Sequence, residues 1–242
     1  VFCEELMACA ASVQVGPARE AFWAVYLREE RAMRERTRML VRRGAVALSP
    51  GRLRVRDDDV ELELELDEDD GFQARCEDAG GGEVWTRKQA GIAASGTLRV
   101  GGGPRRAIDA RAVIDDTAGY HARRTEWRWS AGVGASPDGT ALAWNLVSGI
   151  NDPPNGSERA VWVAGVPSEA PAVTFSADLE RIECGDSSVL HFREEAQRAR
   201  KENLVLVKSD YRAPFGSFSG TLPGGVELAH GLGVVEHHRA LW

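Results

Sequence analysis

The stretch Val60-Glu61-Leu62-Glu63-Leu64-Glu65-Leu66 decides the fold class. Strict alternation over seven residues puts four aliphatic side chains on one side of an extended chain and three carboxylates on the other. That is the pattern of an antiparallel strand with one face in a core and one in water. Acidic turns flank it, Asp57-Asp58-Asp59 before and Asp67 to Asp70 after. The acidic run reads as a solvated strand face rather than a cation site, since a calcium loop spaces its oxygens around a tight turn with glycine at the bend. Upstream, ten basic residues between Arg28 and Arg56 face only three acidic ones. Mutual neutralisation across neighbouring strands is the simplest expectation for this juxtaposition.

Working outward, Ser12 to Val15, the Gly16-Pro17 turn and Phe22 to Tyr26 read as strand, turn, strand. Leu27 to Arg43 is ambiguous, because its Leu, Glu, Arg, Ala and Met content favours helix. Beyond residue 80 strand patterns recur at Ser95 to Val100, Thr125 to Val133, Ala141 to Ser148, Arg159 to Ala164, Ala172 to Ala177, Ser188 to Phe192, Asn203 to Ser209, Gly216 to Leu222 and Gly225 to Trp242. With 26 glycines and 10 prolines as turn punctuation in 242 residues, the expected fold is all-β, with antiparallel sheets forming a barrel or two packed barrel or sandwich halves. The expected halves are 1–110 and 111–242.

A net charge of −7 argues against nucleic acid as a partner. Cysteines at 3, 9, 76 and 184 have neither zinc-finger nor CxxC spacing, and Cys9, in an apolar stretch, is expected to be buried. No run of about 18 apolar residues is present, so no membrane span is expected. Residues 1–15 lack the basic start of a signal peptide, and the expected location is cytoplasmic. The chain opens at Val1 inside an apolar pattern, which predicts that a preceding strand is missing. There is no P-loop, HExxH or G-x-S-x-G, and Gly101-Gly102-Gly103 opens into Pro104-Arg105-Arg106, not a dinucleotide-binding helix. No cofactor and no metal are expected.

Three stretches carry candidate chemistry. Ile114-Asp115-Asp116-Thr117-Ala118-Gly119-Tyr120-His121 packs two carboxylates, a phenol and an imidazole into eight residues; adjacent carboxylates can hold different pKa values, as acid–base work requires. A turn capped by Asp side chains is the plain alternative. The loop Gly149 to Glu158, with its Pro153-Pro154 pair, offers Asn151, Asp152 and Glu158 to a ligand, or is simply an ordered hairpin loop. In the last segment, Val226, Leu228, His230, Leu232, Val234, Glu236 and His238 share a face if the strand runs unbroken, with Glu236 and His238 about 6.6 Å apart. Among the seven tryptophans, Trp127, Trp129 and Trp144 either line an apolar ligand cavity or build the core. Lys88 is a site residue or a surface charge; nothing local decides which.

Several segments together resemble a bacterial family, the domain of unknown function numbered 2804. They are Val84-Trp85-Thr86-Arg87-Lys88-Gln89-Ala90-Gly91, Asp115 to His121, Trp144-Asn145-Leu146-Val147-Ser148-Gly149-Ile150-Asn151-Asp152-Pro153-Pro154, Ser157 to Ala160, Phe215 to Gly225, and Gly233 to His238. The resemblance implies strands for Leu27–Arg43. The organisation of that family is similar to lipocalin-like proteins that include carotenoid hydratases, built from two β-barrel-like halves. It implies an apolar, lipid- or isoprenoid-like small molecule as partner. Two expectations stand side by side with a third. One is an enzyme performing hydration or isomerisation, with Asp115, Asp116, Tyr120, His121, Glu236 and His238 as proton-transfer or orienting groups and Trp127, Trp129, Trp144, Asn145, Asn151, Asp152 and Glu158 as ligand-binding residues. The second is a binding protein with the same cavity, and the third a structural β protein with a solid core.

Overall fold

The computed structural model describes residues 1–39, 44–77, 81–204 and 207–241. Its elements are all strands: β1 Leu6–Val15, β2 Ala18–Leu27, β3 Ala32–Met39, β4 Val46–Ser49, β5 Arg52–Asp57, β6 Val60–Leu66, β7 Phe72–Glu77, β8 Glu83–Val100 and β9 Arg106–Gly119. There follow β10 Arg124–Ala135, β11 Ala141–Ser148, β12 Ala160–Val163, β13 Val166–Glu169, β14 Val173–Phe175, β15 Arg181–Cys184, β16 Val189–Leu204, β17 Val207–Leu222 and β18 Val226–Leu241. Among the described residues no helix is long and apolar enough to cross a membrane. All-β antiparallel architecture is therefore the observed fold class. Two compact units are present, 1–69 with 92–112 and 70–91 with 113–242, so β8 and β9 give residues to both.

In the first unit the alternating stretch forms β6 as its pattern dictates. Val60, Leu62 and Leu64 are buried with Trp23, Val25, Leu98 and Ile108, each such side chain contributing roughly 1.5–3 kcal/mol by leaving water. The carboxylate face meets the basic strands beside it: Glu63 pairs with Arg56, and Glu61 with Arg99 and Arg105. The region of helical propensity is a strand over Ala32–Met39, while residues 40–43 lie outside the described residues. Here Arg34, Arg36 and Arg38, alternate residues on one face, pair with Asp59, Asp58 and Asp57. Tertiary charge matching overrides helix propensity there, as it does wherever the alternation of a strand is satisfied by neighbours. Cys9, expected to be buried, is only half-buried.

The second unit is built on a nine-stranded sheet in the order β13-β12-β11-β10-β18-β17-β16-β15-β14. It curls until β11 approaches β14, and the inner face holds a core of Trp144, Leu146, Phe175, Ile182, Phe192, Phe218 and Val235. Glycines on β10 and β18 make that core possible. A Cβ at Gly132 would overlap the Trp144 ring and come within 2.6 Å of the Leu232 carbonyl, and one at Gly233 would lie 3.0 Å from the Phe218 ring. Gly132→Ala is expected to cost about 1–3 kcal/mol by overpacking, read as a lowered urea midpoint. An unchanged midpoint would show that the indole moves aside freely.

β18 does not keep one parity along its length. Phe218 pairs with Gly231 but Gly220 with Leu228, a bulge that sets Ala229 and His230 against the single residue Ser219. The expected common face from Val226 to His238 is therefore broken. Leu228 joins the inner core, whereas Leu232, Val234, Glu236 and His238 occupy the opposite face beside Val133, Ala131, Trp129 and Trp127, their register partners on β10. The expected strand Asn203 to Ser209 spans residues 205–206, and the last segment ends at Trp242, which lie outside the described residues.

Candidate active site

The face of the nine-stranded sheet turned away from the core carries the candidate chemistry. The 83–91 part of β8 packs over it: a Cβ placed at Gly91 would lie 3.2 Å from the Ala143 side chain, and Phe72, on the neighbouring β7, meets Trp162 edge-on at 6.4 Å. On β8, Val84, Thr86, Lys88 and Ala90 are buried, alternate residues on one strand face. Lys88 is thus aimed inward and is only 2% exposed. Its Nζ lies 2.6 Å from Asp115 Oδ1 and 3.3 Å from Glu158 Oε1. Burial works against the ammonium charge, yet the two carboxylates outweigh it and hold the Lys88 pKa above the usual lysine value. Burial pushes the Glu158 carboxyl above the usual range and the Asp115 charge adds to this, while Lys88 opposes it.

Hydrogen bonds tie this ion cluster to the sheet below. Asn151 Nδ2 donates to Glu158 Oε2 at 3.0 Å, and Asn145 Nδ2 to the Glu158 carbonyl at 2.8 Å. Trp129 Nε1 in turn donates to Asn145 Oδ1 at 2.8 Å. Next to Trp129 in register stands Glu236, which accepts hydrogen bonds from Trp127 Nε1 at 2.8 Å and from Tyr211. Burial pushes the Glu236 carboxyl up to about 7, against the pull of those donors, and the Asp115 charge raises it further. His238 lies against the Trp127 ring at 4.3 Å and bonds Ser209 Oγ through Nε2 at 2.8 Å. Burial lowers its imidazole to about 4, so it is neutral at pH 7. Arg198, 3% exposed, places its guanidinium 5.0 Å from the Tyr211 ring centroid, and its charge acts on both Glu236 and His238.

The structure thus brings together Asp115, Glu158, Asn151, Asn145, Trp129, Trp127, Glu236 and His238. Other expected residues go elsewhere. Asp116 projects away from Asp115, as consecutive strand residues must, and takes Arg87 in two hydrogen bonds of 2.9 and 2.6 Å. The two are not a carboxylate pair. Tyr120 is 81% exposed, and His121 lies half-buried beyond the end of β9. Asp152 serves its own loop, accepting from the Gly149 amide at 2.8 Å. Trp144 is wholly buried on the core face, donating to Ser130 Oγ at 3.1 Å, so it is no wall for Trp127 and Trp129. Its even number against their odd ones decides this once Gly132 and Trp144 are register partners.

Arg159, Arg198 and Tyr211 went unnoticed in the sequence. Arg159 is buried and binds the carbonyls of Asp152, Pro153 and Ala170 at 3.1, 2.8 and 3.3 Å. It locks the double-proline loop and thereby sets Asn151, at φ 48°, beneath Glu158. For Lys88 a local signal did exist, its parity with Val84, Thr86 and Ala90; Tyr211 and Arg198 have none. Among the described residues no group of three His, Cys, Asp or Glu side chains is arranged to hold a metal ion.

Comparison with protein families decides the relationship: the domain of unknown function DUF2804 matches residues 52–242. The chain belongs to the DUF2804 family. No curated protein matches it. Among solved structures it is similar to kievitone hydratase from Nectria haematococca, at TM-score 0.61 and 13% identity over 96% of this chain and 83% of that one. It is also similar to an AttH-type protein from Nitrosomonas europaea, at TM-score 0.54 and 12% identity over 96% of this chain and 85% of that one. At such identities the likeness is one of fold, and the fold of this DUF2804 member is lipocalin-like.

Proposed function

We propose that the protein is an acid–base enzyme that adds water to, or shifts, a carbon–carbon double bond of an apolar small molecule. The observation that carries this is Glu236, a carboxyl half-buried between donors from Trp127 and Tyr211, on the sheet face that also holds the Lys88–Asp115–Glu158 cluster through Trp129 and Asn145. A carboxyl that keeps its proton about half the time at pH 7 can donate it, while Asp115, 40% exposed, offers a carboxyl from which a proton can pass on to solvent. Two carboxyls in different surroundings supply the acid and the base. Protonation of an alkene carbon leaves a cation on its neighbour, and an indole face such as that of Trp129 attracts such a cation. The hydratase among proteins of similar fold supports the reaction class; the apolar partner is supported by the aromatic wall. The net charge of −7 speaks against nucleic acid.

The test is isotopic. The full chain is incubated with a panel of isoprenoid, lipid and phenolic alkenes in deuterium oxide or in oxygen-18 water. At least one member is expected to gain carbon-bound deuterium, and for hydration one oxygen-18 as well. Retention of a panel member without either isotope would make the protein a carrier instead.

A further inference from the structure

We infer that Lys88 and Asn151 together hold the water molecule that becomes the product hydroxyl, with Asp115 as the base that receives its proton; this rests on the reading of Glu236 as proton donor. An ammonium has three N–H donors, and two of those on Lys88 point to Asp115 Oδ1 and Glu158 Oε1. Asn151 is 8% exposed and spends its amide nitrogen on Glu158 Oε2, the other oxygen of the same carboxyl that Lys88 touches. Its carbonyl oxygen Oδ1 is buried without a hydrogen-bond partner among the described residues. So is Thr86 Oγ1, on the same face of β8 two residues before Lys88.

A buried acceptor without a partner is destabilising and is normally satisfied by an ordered water or a ligand. The chemistry of the missing partner follows from the atoms that surround it. A partner that donates to Asn151 Oδ1 and accepts from the third Lys88 N–H would be a hydroxyl, since a carbonyl or an ether cannot donate. Anchoring of Lys88 and Asn151 on the two oxygens of one Glu158 carboxyl fixes donor and acceptor relative to each other. Asp115 completes the set: Oδ1 is taken up by Lys88 and by Thr117 Oγ1 at 2.9 Å, which leaves Oδ2 for a second O–H.

The step balances as follows. The alkene π pair takes the proton of Glu236, forming a C–H bond and a cation on the adjacent carbon. A lone pair of the held water forms the C–O bond, and the second proton of that water passes to Asp115 Oδ2. Asp115, half-exposed, releases the proton to solvent, and Glu236 regains one from solvent. The sum is alkene plus water to alcohol.

Two measurements on the full chain decide it. A crystal structure at about 1.5 Å or better is expected to show an oxygen atom within hydrogen-bond distance of both Lys88 Nζ and Asn151 Oδ1; no such atom overturns the inference whatever the activity. Asn151→Leu keeps the volume but removes the acceptor together with the Nδ2 donor to Glu158 and the residue type suited to φ 48°, so it is assayed where circular dichroism shows it folded. It is expected to lower oxygen-18 incorporation at least ten-fold while carbon deuteration by Glu236 stays within about two-fold, since the cation then returns to alkene by losing a proton. Equal oxygen-18 incorporation in variant and wild type would also overturn it. Parallel loss of both isotopes in a folded variant would assign Asn151 to the architecture of the site. Absence of both isotopes in the wild type would fell the parent reading, and the catalytic part of this one with it.

Discussion

Replacing Glu236 with Gln is expected to lower turnover by roughly 10²–10⁴-fold, the usual worth of a general acid, while leaving the fold intact. The amide oxygen of Gln can still accept from Trp127 Nε1, which now holds Glu236 at 2.8 Å, so the indole wall stays in place. What disappears is the proton. In the wild type, kcat/KM is expected to fall with unit slope above about pH 7, where burial has placed the Glu236 pKa, and the residual activity of the variant lacks that limb. The substitution acts on stability in the opposite sense, although the pH range is the same. The folded-state pKa of about 7 stands above the ordinary 4.5, so the native state binds the proton more tightly than the unfolded chain. That stabilisation is fully present below pH 4.5 and is lost as pH rises through about 7. Gln never ionises, so the variant should match the wild type near pH 4.5 and exceed it at pH 8.5. At about 1.4 kcal/mol per pKa unit the gain is at most about 3.5 kcal/mol, reduced by the partial exposure of the carboxyl. His238, lowered to about 4, titrates the other way: its share is present above 6.5 and lost as pH falls through 4, equally in both proteins. Rate–pH profiles and denaturant melts at the two pH values check this. A variant with wild-type turnover, or one that keeps the alkaline limb, would sink the assignment.

The second large effect is on stability. Lys88→Met should destabilise the second unit by about 3–5 kcal/mol at pH 7.5, because it leaves the Glu158 carboxylate, 3% exposed, buried without its cation. The cost should shrink toward pH 5. Glu158 already has a raised pKa from burial and the nearby Asp115 charge, and without Lys88 it takes up a proton instead. Lys88→Met combined with Glu158→Gln should recover most of the loss, since neither buried group then needs a charge partner, while the Asn151 and Asn145 hydrogen bonds to residue 158 persist. Urea titrations of the wild type, the single and the double variant at both pH values decide it. A cost independent of pH, with no rescue in the double variant, would show that Lys88 contributes by packing alone.

How much of this was legible before the structure differs by residue. Val60 to Leu66 and Ala141 to Ser148 are strands with the boundaries their patterns imply. Trp127 shares a face with Trp129, and Glu236 with His238, because two residues per repeat is a steric property of the extended chain itself; that the two pairs meet is set by the register of β10 on β18. Asn151 and Glu158 were visible as polar groups in a loop stiffened by proline, though not the buried Arg159 that locks it. The same alternation misled where something remote intervened. A one-residue bulge opposite Ser219 turns Leu228 to the core and away from Glu236. Trp144 follows the glycine seats on β10 and β18.

The sequence by itself determined the all-β class and the limits of the most regular strands, Val60–Leu66 and Ala141–Ser148, whereas a strand such as Arg106–Gly119 showed no pattern of its own. The class and those limits depend on neighbours along the chain. Only the tertiary structure decided that Lys88 is buried between Asp115 and Glu158, that Asp116 is turned away to Arg87, and that Glu236 meets Tyr211. Each of those depends on the register between strands distant in sequence, and on the desolvation that their packing imposes. The pairing of charges out of water, and the pKa values that follow from it, are properties of which faces meet and not of which residues adjoin.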